Sequence, residues 1–241
     1  MSTRGARPEL IVLPDADALA DEAARRIEAV AVGARPDGPA TVALAGGSTP
    51  KVAYRHLSAR PVPWARLRLF YGDERCVPPD DPGSNHRMVC EEWLDRVPLP
   101  PGNVHRIPGE LEPEEAARRA EGDLRRSFGT AGVPRLDLVI LGIGADGHTA
   151  SLFPGGPELE VADRLMVPVH RPGLPQPWRV SMTLPVLNAA RRVLFLAADG
   201  AKADVVARAV AGDPAIPAGR VRPADGTLTW MLTEAAAARI G

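Results

Sequence analysis

The residues best suited to chemistry lie within residues 136–153, LDLVILGIGADGHTASLF. Gly142, Gly144 and Gly147 surround Asp146 and lead directly into His148. Imidazole is the side chain that most readily exchanges a proton near neutrality, so a histidine in an open glycine turn is suited to take one from water. Asp146, two residues away, or a backbone carbonyl is available to orient it. His148 is therefore the first candidate for a general base, and a histidine that only caps its own helix is the plainer reading. The same glycines satisfy G-x-G-x-x-G, the dinucleotide fingerprint. That fingerprint needs a long crossover helix after it, whereas Pro154, Gly155, Gly156 and Pro157 break the chain almost at once. No nicotinamide cofactor is expected, nor any other.

A second group of residues suits an anion. Gly46, Gly47, Ser48 and Thr49 lie between the apolar run TVALA and a helical stretch from Lys51 to Leu57. Free backbone N–H groups and the positive end of a helix dipole attract phosphate at such a junction. The plainer reading is a glycine turn with Ser48 or Thr49 as helix cap and Pro50 at the first helical position. No Walker A loop is present. Arg75 closes a predicted strand, Arg179 opens one and Lys202 opens a helix. Arg179 and Lys202 each read more plainly as surface cations when taken alone, although cations suit phosphate and arginine offers it a fork of donors. Asp73 precedes Arg75 in the run Asp73–Glu74–Arg75, which is equally readable as a solvated strand end; for Glu74 that plain reading is favoured. The other histidines, 56, 86, 105 and 170, share no spacing with carboxylates and read as structural or surface residues. No metal site is expected.

The elements that must position these groups alternate. Strands are predicted at Glu9–Leu13, Thr41–Ala45, Leu67–Tyr71, Asn103–Ile107, Leu136–Ile143, Arg164–Val169, Arg179–Leu184, Arg192–Ala198 and Leu228–Thr233. Helices are predicted at Ala16–Ala34, from Ser84 as cap through Trp93 to Val97, and over Glu112–Phe128 and Ala201–Ala211. Thr149–Phe153 reads as the first turn of a short helix. Alternating strands and helices imply an α/β fold, a doubly wound and mostly parallel sheet with helices on both faces. Open sheets of this kind bind ligands at the carboxyl ends of their strands. Arg179 opens its strand, so it reaches that edge only if the strand runs antiparallel.

Composition narrows the class. The 241 residues suit one large α/β domain, 45% of residues are hydrophobic, and the formal net charge is −1. Neither a nucleic-acid partner nor an anionic membrane is implied. The start lacks an apolar signal region, no run is long enough to span a membrane, and Cys76 and Cys90 lack metal or redox spacing. A cytoplasmic protein, monomeric or a small homo-oligomer, is expected.

Taken in order, AGGSTP at 45–50, YGDERCVPPDDPGSNHRM at 71–88, LGIGADGHTASLFP at 141–154, RVSMTLPVLNAARRVLFL at 179–196 and the glycine and lysine at 200 and 202 resemble the 6-phosphogluconolactonase family across nearly the whole chain. Gly83 and His86 depart from the pattern, where Asp and Tyr are expected. The resemblance implies a modified Rossmann-like fold shared with glucosamine-6-phosphate deaminase and ribose-5-phosphate isomerase. It implies hydrolysis of a sugar-phosphate lactone, with His148 as base and Gly46–Thr49, Arg179, Lys202 and Arg75 as phosphate anchors. Asp73 is left between positioning water and positioning substrate hydroxyls. The nearest alternative, a deaminase or isomerase on the same fold, requires by that resemblance a glutamate five residues after the histidine, where this chain has Phe153. A non-catalytic sugar-phosphate binder is the second alternative. A regulator built on this fold would need a helix-turn-helix, for which the ten or so residues before the first strand are too few.

Overall fold

The computed structural model describes residues 7–36 and 38–241. In chain order its elements are β1 (Glu9–Leu13), α1 (Ala16–Val32), β2 (Ala40–Leu44), α2 (Ser48–Ser58), β3 (Leu67–Tyr71), β4 (Asp73–Arg75), α3 (Asn85–Glu92), β5 (Val104–His105), α4 (Pro113–Phe128), β6 (Leu138–Leu141), β7 (Met166–His170), β8 (Trp178–Met182), α5 (Leu184–Ala189), β9 (Arg192–Ala197), α6 (Ala203–Ala211), α7 (Pro217–Arg220), β10 (Thr227–Thr233) and α8 (Glu234–Ala237). Seven strands form one sheet in the order β1-β10-β9-β6-β2-β3-β5, and every pair in it is parallel. Every residue of β2 and of β6 is buried, so the centre of the sheet is covered on both faces, as the unbroken apolar runs require. The apolar stripe of α1, Leu19, Ala23, Ile27 and Val30, is buried as its helical spacing predicts.

The chain turns opposite ways from the two central strands. From β2 it proceeds to β3 and β5 on one side; from β6 it proceeds to β9 and β10 on the other. The gap between β2 and β6 is therefore a topological switch point, where a crevice opens beyond the carboxyl ends of the strands. The loops that leave these two strands are Gly46–Thr49 and Gly142–His148.

A second sheet departs from the single-sheet expectation. β4, β8 and β7 form a three-stranded antiparallel sheet in that order. It is spliced to the large sheet at Gly72, whose N–H donates to the Leu44 carbonyl and whose carbonyl accepts from Met182 N–H. Asp73–Arg75 is thus a paired strand and not a solvated strand end. Successive side chains of a strand point to opposite faces. Asp73 and Arg75 face one way, and Glu74 faces the other. Glu74 is buried, and its carboxylate accepts from Arg75 N, Ser84 Oγ, Asn85 N and His86 N at 2.7–3.0 Å. Burial pushes the Glu74 carboxyl up, against the pull of those backbone donors. It anchors the start of α3, which Ser84 caps as expected.

Three local expectations are corrected. Residues 149–153 do not begin a helix; Thr149 and Leu152 exchange backbone hydrogen bonds across a tight turn, with Ala150 at φ 48°. α3 ends at Glu92 and a short 3-10 turn, Leu94–Arg96, follows. The cap of α2 is Gly47 at φ 101°, with no side-chain cap; Ser48 begins the helix and Pro50 lies two residues further in. Among the described residues no helix is long and apolar enough to cross a membrane.

Glu92 clamps α3 to α2. Its carboxylate bonds Arg55 Nε at 2.7 Å and lies 3.2 Å from Lys51 Nζ. The Arg55 hydrogen bond, helped by Lys51, pushes the Glu92 carboxyl down to about 2. A carboxylate whose folded value is depressed stabilises the fold above its unfolded value and loses that contribution as pH falls towards the folded one. The urea midpoint of Glu92→Gln should lie below that of the wild type at pH 6. The gap should narrow as pH falls below about 4.3, the ordinary glutamate value.

Candidate active site

A cleft of about 230 Å³ opens at the switch point. Its lining includes Gly46, Gly47, Ser48, Thr49, Asp73, Arg75, His148, Arg179 and Lys202. Asp146 stands behind His148. On one wall, β2 runs into Ala45, whose N–H and carbonyl are both held by the buried Tyr54 hydroxyl at 2.9 Å. The chain then turns at Gly46 and Gly47 into α2. The hydroxyls of Ser48 and Thr49 are not used in capping, so they add donors to the free N–H groups of the first turn.

On the facing wall, β6 leads into the histidine loop. His148 Nδ1 lies 2.5 Å from Asp146 Oδ1, which also accepts the His148 backbone N–H at 3.1 Å. A carboxylate can only accept, so Nδ1 carries the proton and Nε2 is left as the acceptor. Nε2 has no protein partner among the described residues. Burial works against the Asp146 charge, but its bonds from His148 outweigh this and hold the carboxyl below its ordinary value. Gly144 makes room for the pair, because a Cβ there would lie 2.0 Å from His148 Nδ1. Gly147 takes φ 86° to turn the chain. No helix follows these glycines, so the dinucleotide fingerprint lacks its second half.

The cations come from three elements. Arg75 and Arg179 are directly opposed in the β4–β8 ladder. β8 runs antiparallel to β4, which is the geometry Arg179 needed in order to reach the edge. Like charges in such a pair destabilise a sheet. Burial first, then the neighbouring Arg75, pushes the Arg179 guanidinium below its ordinary value. Lys202 closes a 3-10 turn capped by Asp199, and its Nζ donates to the Ile143 carbonyl at 2.8 Å. Among the described residues none of these three cations forms an ion pair with a carboxylate. These three cations beside a helix amino terminus are suited to a doubly charged anion.

Asp73 is fixed on the cleft floor. Ser151 Oγ donates to Asp73 Oδ2 at 2.7 Å, and Asn85 Nδ2 donates to the Asp73 carbonyl at 3.0 Å. Asn85 also packs on Gly46, where a Cβ would come within 2.0 Å of its Oδ1. Asn85 and Ser151 were not singled out from sequence. Both act through tertiary contacts that carry no local sequence signal. Among the described residues no group of three or more His, Cys, Asp or Glu is placed to hold a metal ion.

A family profile described as glucosamine-6-phosphate isomerases/6-phosphogluconolactonase matches residues 14–230. The chain belongs to this family. A 6-phosphogluconolactonase from a Nostoc species is 39% identical over 239 residues, covering 95% of this chain and 97% of that one. The human 6-phosphogluconolactonase is 40% identical over 227 residues, covering 91% and 87%. Among solved structures, a 6-phosphogluconolactonase from Trypanosoma cruzi superposes with a TM-score of 0.87 at 29% identity, covering 97% of both chains. A monomeric glucosamine-6-phosphate deaminase superposes with a TM-score of 0.77 at 22% identity over 96% of this chain and 99% of that one, and shares the fold. The family and the Rossmann-like fold inferred from the motifs are those found.

Gly144→Ala should leave the fold intact and displace the histidine pair. A misplacement of about 1 Å costs on the order of a hundredfold in rate. Circular dichroism should match the wild type while kcat falls by about that factor.

Proposed function

We propose that this protein hydrolyses 6-phospho-D-glucono-1,5-lactone to 6-phospho-D-gluconate, a step of the oxidative pentose phosphate pathway. One observation carries the reading: a histidine with a carboxylate on one ring nitrogen and a free second nitrogen shares its cleft with three cations that lack carboxylate partners. The first is equipment for activating water, and the second for holding a phosphate. The names of the relatives support the same substrate.

In this mechanism the phosphate lies against Gly46–Thr49, Arg75, Arg179 and Lys202. His148 Nε2 takes a proton from water, and Asp146 stabilises the imidazolium that forms. The hydroxide attacks the lactone carbonyl carbon, and the carbonyl electrons move to oxygen. Free N–H groups or a nearby cation stabilise this oxyanion. As it collapses, the bond from carbonyl carbon to ring oxygen breaks. His148 returns its proton to that oxygen, which becomes the C5 hydroxyl, and the new carboxylic acid ionises. Asp73, held by Ser151, positions the substrate hydroxyls or the water. Phe153 lies against the His148 ring with centroids 4.5 Å apart. This apolar ring, where the deaminase alternative needs a carboxylate, favours hydrolysis.

The direct test follows freshly made phosphogluconolactone, with spontaneous hydrolysis subtracted and ammonia release from glucosamine 6-phosphate as counter-assay. The wild type should hydrolyse the lactone and release no ammonia; ammonia at a comparable rate would reverse the two readings. His148→Ala should stay folded and lose roughly a hundred- to ten-thousandfold in kcat, the usual cost of a general base.

A second test isolates the phosphate. Each charge-assisted contact contributes about 1.5–3 kcal/mol. Arg179→Ala should therefore lose roughly ten- to a hundredfold in kcat/KM on the phosphorylated lactone and little on unphosphorylated gluconolactone. Equal losses on both would assign Arg179 to the fold or the chemistry.

A further inference from the structure

We propose that Phe153 is a positioning residue, a fixed post against which both the base and the phosphate clamp are set. The proposal rests on the function just described and adds to it a residue that makes no bond to substrate. The Phe153 ring is nearly buried and packs with Val167 and Val169 of β7 in a small apolar cluster apart from the main core. Its position is therefore fixed largely by the second sheet, with Val161 and Leu174 packed alongside. Three groups lean on it. The His148 imidazole is tilted 31° to it at 4.5 Å between centroids. The Arg171 guanidinium lies 5.0 Å from the ring centroid and that of Arg179 lies 5.9 Å away. Both distances fall within the range in which a ring face attracts a cation.

The choice of an aromatic ring has a physical reason. Arg75 opposes Arg179 in the ladder, and Asp73 and Glu74 offset this only in part, so a further attraction is of use. A carboxylate would supply that attraction but would neutralise the charge that a phosphate has to find. Beside His148 a second carboxylate would favour the imidazolium, which cannot accept a proton. The face of a phenyl ring attracts the guanidinium through its quadrupole, packs on the imidazole as one ring on another, and carries no net charge. It holds the base without placing a charge beside it and the clamp without occupying it. Arg171, paired with Glu158 at 3.4 Å, takes a further place on the same ring.

The test is Phe153→Leu, which keeps an apolar side chain against Val167 and Val169 and removes the ring face. Two quantities are read on the folded variant. The kcat/KM for unphosphorylated gluconolactone reports the base. The ratio of kcat/KM for phosphorylated over unphosphorylated lactone reports the clamp. Both should fall by about tenfold, the worth of one ring-face interaction at each group. Phe153→Tyr, which keeps the face, should hold both within about threefold of the wild type. A ring that merely fills space would lower the melting temperature and leave both quantities unchanged. That result, or a change in only one of them, overturns the proposal. If Phe153→Leu does not fold, Phe153→Met decides on the same terms, since its flexible side chain fills irregular gaps. A wild type that turns over neither lactone overturns the proposed function itself, which separates the two failures.

Discussion

The structure depends on one constraint of parallel sheets: neighbouring strands whose connections leave in opposite directions must leave a gap. β2 and β6 are such neighbours. Every helix-bound connection moves away from the gap, so nothing of the large sheet's own crossovers fills it. The two loops that begin there face each other across the cleft. One becomes the amino terminus of α2, and the other becomes the glycine turn that carries His148. Mutually opposed chemistry, an electropositive wall and a basic nitrogen, follows from where the chain diverges.

The gap alone would be too open to hold a substrate in register. The second sheet closes it. β4 continues directly from β3, so its alternation sends Asp73 and Arg75 into the cleft and Glu74 into the start of α3. β8 then brings Arg179 opposite Arg75. Three adjacent residues thus serve two layers, and Glu74 ties the layer that binds to the helix that supports it. Asn85, the first residue of that helix, touches both Gly46 and Asp73. The Gly46–Thr49 wall and the Asp73 floor are held by one buried amide.

Much of this was legible in the sequence, and the limits have physical causes. The buried strands announced themselves as apolar runs, and the glycine loops lay at their ends. His148 with Asp146 is a local pair, so spacing alone exposed it. Arg179 came with a stated condition, an antiparallel strand, and β8 meets it. The three-residue strand β4 is too short to show a period, and its partner lies about a hundred residues away, so Glu74 read as solvated. Ser48 looked like a cap because Ser and Thr favour that place; the positive φ of Gly47 took the role and released the hydroxyls. Asn85 and Ser151 owe their importance to residues far off in sequence, Gly46 and Asp73, which no local pattern reveals.

The opposed arginines of the β4–β8 ladder also bear on how long the molecule lasts. Their repulsion is a cost of the empty fold, and an anion between them removes it. Any ligand that binds the native chain and not the unfolded one raises resistance to unfolding in step with its concentration. With no anion between the two arginines, transient opening of the chain costs that much less. Proteases act on such transient openings. An anionic ligand between these two arginines would therefore lengthen the lifetime of the folded chain as its concentration rises.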